Sequence, residues 1–320
     1  MPDEASTAER YARFADHEAA GSSAIYEEWS REIAIDPEVI GLLGELPTTR
    51  RQPNLLYAAM RFEGCAAGPW GDARDWLLGN WSAVSTTMRT RTNQMNEAGR
   101  CGALVPALAL LPQPVALIEV GCSAGLCLRP DLYAYSWGGQ QRGTSDLIVE
   151  MAIRGPVPVP DRLPRIAARI GIDLNPHDIA DADTMRWLDA LIWPEHETRR
   201  KRLRRAAELA ADAPADIRAG DLNELLEPAL RDVPRGATPV VFHSAVLGYL
   251  GHGARQRFVD QVAATQAHWI SNEFPGVSPG VPDTGVTKPD GTHDGFTLAV
   301  DGTPVALADP HGEWLVWMDG

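Results

Sequence analysis

Lysine is almost absent from this chain: Lys201 and Lys288 are the only two, so 27 of the 29 basic residues are arginine. The basic side is also outweighed, 29 residues against 43 acidic ones, leaving a net charge of −14. That balance excludes partners held by bulk positive charge, nucleic acid first among them. Cysteine is scarce, and Cys65, Cys101, Cys122 and Cys127 have no spacing typical of a zinc site or a secreted disulfide framework. No metal is expected. Cys122 and Cys127 flank a glycine turn and read as small packing residues. No apolar run approaches the ~18 residues of a membrane span, and the opening Met1-Pro-Asp-Glu-Ala-Ser6 is acidic, without a signal-like apolar region. A cytoplasmic location is therefore expected, with no membrane partner.

What is present fits an ordinary globular protein, with 44% hydrophobic and 22% charged residues over a length that can form one large or two smaller domains. Residues 1–110 read as helices. Tyr11, Phe14, Ala15, Glu18 and Ala19 are amphipathic, Ile25, Trp29 and Ile33 repeat the pattern, and Asp36-Pro37 opens another helix by the cap-then-proline rule. Leu55–Phe62 and Trp76–Met95 add two more. From Pro112 strands and helices alternate, which is the signature of a parallel sheet. Strand candidates are Val115–Val120, Ala168–Ile172, Ile217–Asp221, Pro239–His243 and His268–Ser271, with helices over 181–211 and 254–267. The end, Phe296–Val300, Val305–Ala308 and Trp314–Met318, alternates around Asp301-Gly302 as antiparallel strands. The expected fold is α/β: a doubly wound, mostly parallel seven-stranded sheet with a C-terminal antiparallel hairpin. The expected domains are 1–110 and 111–320, with an insertion at 138–165 that forms a hairpin (Asp146–Ile153) over the cleft. Pro275–Gly295 is expected as a mobile lid.

The chemistry is expected around Glu119-Val-Gly121-Cys-Ser123-Ala-Gly125, where a buried strand runs into a glycine-bracketed turn and a helix. Such a turn brings backbone N–H groups beside a ligand, and Glu119 sits where open α/β sheets hold theirs. Alone, the motif is equally a tight turn without a ligand. Asp173 at the next strand's end is placed for two ribose hydroxyls, and Asp221 after the third marks the adenine edge, although each alone can be a helix cap. Ser123 stands where a dinucleotide turn has its middle glycine, and the chain ends in a hairpin, so S-adenosylmethionine (SAM) is favoured as cofactor. Ser244 joins this cofactor set.

Arg89–Arg100 is expected as a polar helix with Asn93, Glu97 and Arg100 on one face and Asn96 beside them. It is either a solvated face or a site. Its Asn and Gln residues lower helix propensity without clear gain, which favours the site. His243 follows the fourth strand, where catalytic groups often sit, yet a satisfied core histidine is the safer reading. Tyr249 and Glu273 are placed on the pocket rim, with Asn272 beside Glu273. The run Thr198–Arg205 is most simply an exposed helix face, and in the minority reading a docking surface.

Taken together, Arg91–Arg100, Glu119–Leu126, Gly171–Leu174, Trp193-Pro194, Gly220-Asp221, Val241–Ser244 and Pro310–Trp314 resemble an uncharacterised actinobacterial family. The resemblance covers most of the chain and implies a class I methyltransferase-like fold. The chain departs from the common pattern at Asn93–Glu97 and at Cys127, both beside the pocket. Some relatives resemble proteins that close aziridine rings in azinomycin- and vazabitide-type pathways. That implies a SAM-type fold serving ring closure with loss of sulfate, beside a small partner protein.

Three expectations follow. The first is a SAM-dependent methyltransferase acting on a small molecule. In it Glu119, Gly121, Ser123, Gly125, Asp173, Asp221 and Ser244 hold the cofactor, while Arg91, Asn93, Asn96, Glu97, Arg100, His243, Tyr249 and Glu273 face the acceptor. His243 or Glu97 would serve as base. The second is a cyclase in which Arg91, Arg100 and His243 grip a leaving anion. The third is a binding subunit docking through 199–205 to a small protein or a second copy.

Overall fold

The computed structural model describes residues 6–285 and 295–318. The chain divides into two compact units: one holds the residues up to Met95 plus Ala180–Lys201, the other Asn96–Ile179 plus the chain from Arg202. This division differs from a cut at residue 110.

The first unit is helical, with α1 (Thr7–Phe14), α2 (Ala24–Ile35), α3 (Pro37–Gly44), α4 (Pro53–Glu63), α5 (Trp70–Thr90) and α7 (Ala182–Leu191). Ser6 and Glu9 form a capping box, and Asp36, the cap expected before Pro37, accepts from the backbone N–H groups of Glu38 and Val39. The core is aromatic. Tyr57 sits among Tyr11, Phe14, Tyr26 and Trp29, the nearest ring centroid being Tyr26 at 4.4 Å. The expected single helix over 181–211 breaks at Pro194 into α7 and α8 (Glu197–Ala211), because proline cannot continue the hydrogen-bond ladder. The unit takes in α7 because Arg61 of α4 donates to the Ala190 and Ile192 carbonyls and Trp187 packs on Phe62.

The second unit is built on a mixed sheet, entered through α6 (Cys101–Ala109). Its strands among the described residues are β1 (Val115–Val120), β2 (Ala134–Trp137), β3 (Gln140–Arg142), β4 (Ile148–Arg154), β5 (Ile166–Asp173), β6 (Asp216–Ala219), β7 (Thr238–Ser244), β8 (His268–Glu273), β9 (Phe296–Val300), β10 (Thr303–Ala308) and β11 (Trp314–Trp317). They lie in the order β3-β2-β4-β11-β10-β9-β8-β7-β1-β5-β6. The expectation of seven strands is thus corrected to eleven. The expected hairpin over Asp146–Ile153 is instead one strand, β4, which pairs parallel with both β2 and β11, while the hairpin at this edge is formed by β2, just before the 138–165 insertion, and β3 within it. The antiparallel end is the three-stranded meander β9-β10-β11, turning at Asp301-Gly302 with both residues at positive φ.

The parallel core is β6-β5-β1-β7-β8, and chain order reverses between β1 and β7. Alternation along each strand separates two faces. Ile118, Val120, Ile170, Ile172, Val241 and Trp269 pack with Leu222 and Leu226 of α9 (Leu222–Arg231) and with Phe258 and Val262 of α10 (His252–Ala263). Each such apolar side chain contributes about 1.5–3 kcal/mol over remaining exposed. By the same alternation Glu119, Asp173, Ser244 and Asn272 point to the opposite face, at the strands' carboxyl ends.

Candidate functional site

The turn after β1 is not an open cradle. Gly121 and Cys122 donate their backbone N–H groups to Ile172 O, at 2.7 and 3.2 Å. Ser123 N–H donates to Asp173 Oδ2 at 2.8 Å, Ala124 N–H to Asn96 Oδ1 at 2.8 Å, and Gly125 N–H to Cys122 O at 2.6 Å. The expected following helix is replaced by two short 3₁₀ turns, Leu126–Leu128 and Pro130–Leu132, so no helix dipole faces the loop. The glycines admit protein neighbours: a Cβ on Gly121 would run into Val246, and one on Gly125 would approach Ile217 and Leu128. Ser123 and Ala245, which follow β1 and β7, nevertheless hold positive φ without being glycine (50° and 59°). Strain of that kind collects where the surroundings dictate a conformation, and here it flanks the reversal in strand order.

What the turn shapes is a row of polar side chains on one face. Asp173 (β5), Glu119 (β1), Ser244 (β7) and Asn272 (β8) stand on neighbouring strands, with Glu119 beside Gly171 and Phe242, and Ser244 beside Asn272. All four are at least nine-tenths buried. Arg100 lies on the row, donating from Nη1 to Ser244 O and from Nε to Pro310 O, both at 2.9 Å. Asn96 bridges the turn, its Nδ2 donating to Ser123 Oγ at 2.6 Å. Arg129 holds Gly125 O through Nη1 at 2.5 Å, and its burial pushes its pKa down.

Two atoms of this row have no hydrogen-bond partner among the described residues: Glu119 Oε2 and Asn272 Oδ1. Buried polar atoms are nearly always paired, and each exception calls for a reason. Burial pushes the Glu119 carboxyl well above the usual carboxylate range; nearby Cys127 and Asp173 add to the rise, while Arg100 and Arg129 oppose it. The row thus holds a carboxyl biased towards its protonated form next to a guanidinium, on the strand edge where open α/β sheets bind ligands.

The other face of the same edge is closed. His243 is fully buried; its Nδ1 lies 2.7 Å from Glu273 Oε1 and its Nε2 accepts from Trp269 Nε1 at 3.0 Å. That network assigns the proton to Nδ1. Glu273 Oε1 also accepts from the N–H groups of Val246 and Leu247. His243, expected as catalytic, has no free ring nitrogen, and Glu273, expected at substrate, anchors the loop after β7.

The remaining expected residues separate. Helix α5 ends at Thr90, and residues 91–97 have no regular structure, so Asn93, Glu97 and Arg100 do not share a helix face. Side chains that compete for backbone hydrogen bonds favour that outcome, and Glu97 shows it by accepting from Gly99 N–H. Glu97 also pairs with Arg202 Nε at 3.1 Å. Arg91 belongs to the helical unit, bonded to Asp183 and lying 4.3 Å over the Phe62 ring. Asn93 belongs to that unit too. Asp221 is the N-cap of α9, accepting from Asn223 N–H at 2.7 Å. Tyr249 stands 83% exposed on the turn after β7. The basic run is largely paired: Arg200 with Asp189 and Glu197, Arg202 with Glu97, and Arg205 with Asp146 and Glu208. Of the loop expected as a lid, 286–294 lie outside the described residues; before them, Val277 and Val281 pack on the core and the Ser278 and Ser271 hydroxyls meet at 2.6 Å.

Arg129 is absent from the expected site set, and Asn272 was expected only on the rim beside Glu273. Asn272 carried a signal, being a polar residue at the carboxyl end of a strand; Arg129 carried none.

Among curated proteins no match is found. A family model described as an uncharacterized protein conserved in bacteria (DUF2332) matches residues 8–317, nearly the whole chain. The chain belongs to the DUF2332 family.

Proposed function

We propose that this chain is a small-molecule enzyme that binds SAM at the carboxyl ends of β5, β1 and β7 and acts as a methyltransferase. The carrying observation is Glu119: a buried carboxyl on the central strand whose Oε2 has no partner. An orphaned buried acceptor of this kind fits a cofactor rich in amino and hydroxyl donors. Glu119 and Asp173 would receive those donors, and Ser123, fixed by Asn96 and Asp173, would shape the turn beside them. Bound there, SAM supplies an electrophilic methyl group.

The chain's own part is mainly positional. With His243 and Glu97 engaged elsewhere, neither serves as general base, and the rate advantage rests on holding the acceptor in line. The class I methyltransferase-like reading is supported by the strand order around β1, with its reversal between β1 and β7. The ring-closing alternative asked Arg91, Arg100 and His243 to hold a leaving anion; of these, Arg100 alone lies on the polar row. The docking alternative loses most of its free charge to the ion pairs of α8.

Isothermal titration with SAM and with S-adenosylhomocysteine tests the proposal. Saturable binding is expected, weakened about tenfold or more, ~1.4 kcal/mol, in Glu119→Gln. Absence of heat or saturation with both compounds would overturn it.

A further inference from the structure

We infer that the β7–β8 end of the polar row is the subsite for a hydroxyl group, and that the substrate is an aromatic alcohol or phenol. This rests on the reading that the carboxyl edge is the reaction site. Asn272 is 0% exposed, and its Oδ1 has no partner. Its Nδ2 donates to Ser244 Oγ at 2.9 Å, so the Ser244 hydroxyl proton is not used by this pair. The subsite therefore presents one acceptor and one donor side by side, and a hydroxyl, which both donates and accepts, complements it. Turning the amide end for end leaves an NH₂ in place of the oxygen, and a hydroxyl still matches. A ligand ammonium is disfavoured by Arg100, whose Nη1 holds Ser244 O. A carboxylate is disfavoured by the bare amide oxygen.

The body of the ligand follows from the rim. Leu174, Tyr249 and Phe274 are exposed large apolar residues, and they follow the carboxyl ends of β5, β7 and β8. Phe274 meets Phe296 edge-on at 4.7 Å, and Arg100 lies 5.4 Å over the Phe296 ring. Phe274 and Phe296 thus lead through Arg100 to Ser244 of the polar pair, an aromatic approach to the subsite.

Ligand-observed NMR on the full chain without SAM, using phenol and toluene as probes, tests this independently of the cofactor. Phenol is expected to bind at least tenfold more tightly than toluene, with contacts to Phe274. Asn272→Leu is expected to remove that preference while toluene binding persists, and Phe274→Ala to weaken both. Should Asn272→Leu fail to fold, the wild-type ratio and Phe274→Ala decide alone. Equal affinities in the wild type, or no binding of either probe, overturns the inference, whereas failure of SAM to bind with phenol preference intact overturns only the cofactor reading.

Discussion

The two faces of the sheet's carboxyl edge use similar residues to opposite ends. On one face His243, Glu273 and Trp269 join in a closed network in which every ring nitrogen has a partner. On the other, Glu119 and Asn272 are equally buried, and each leaves an oxygen unpaired. A histidine at a strand end is the more familiar catalytic sign, yet here it is the fixed part. The difference teaches that partner accounting, rather than residue type, separates a structural polar cluster from a binding one.

The closed face carries the largest expected loss. Glu273→Ala strands the donors of His243, Val246 and Leu247 at once, and a destabilisation of about 3 kcal/mol or more is expected in urea unfolding. A loss below about 1 kcal/mol would mean that the network is not closed. Next in size is Asn96→Ala, which removes partners from Ser123 Oγ and Ala124 N–H; about 1–3 kcal/mol is expected, with weaker SAM binding measured by calorimetry.

The open face predicts the reverse sign. The folded protein holds a proton on Glu119 more tightly than the unfolded chain does, because burial raises its pKa. Between the unfolded carboxyl value of ~4.3 and the higher folded value, stability contributed by this group falls as pH rises. Glu119→Gln removes that dependence, so the melting midpoint at neutral to mildly alkaline pH is expected to rise and its pH slope to flatten. A lower midpoint across the whole range would show that the carboxylate is held by partners. The smallest effect belongs to the surface: Arg205→Ala, whose ion pairs are solvent-exposed, is expected to leave the midpoint unchanged in physiological salt.

Much of the architecture was legible in the residues. Val115–Val120, Asp36-Pro37 and Asp301-Gly302 carried strand, cap and turn chemistry that depends only on neighbours in the chain. β2, β3 and β4 were less visible, because they lie at and within a Pro- and Gly-rich insertion, and the pairing of β4 with β11 is a long-range matter. The site was half legible. Glu119, Asp173 and Ser244 stand together as a strand-end reading suggests, and Arg100 joins them from the segment ahead of β1. The helix face through Asn93, Glu97 and Arg100 dissolved once Asn96 and Glu97 bonded to backbone groups elsewhere. The sealing of His243 depended on Trp269 and Glu273 across a strand pairing that spacing alone does not register.

The central claim is that Glu119 waits for a ligand donor. Carbon-13 NMR titration of its carboxyl, with and without SAM, measures this most directly. A signal that titrates above the usual carboxylate range in the free protein and moves down on addition of SAM is predicted. A carboxyl that titrates in the ordinary range and ignores SAM would contradict the account.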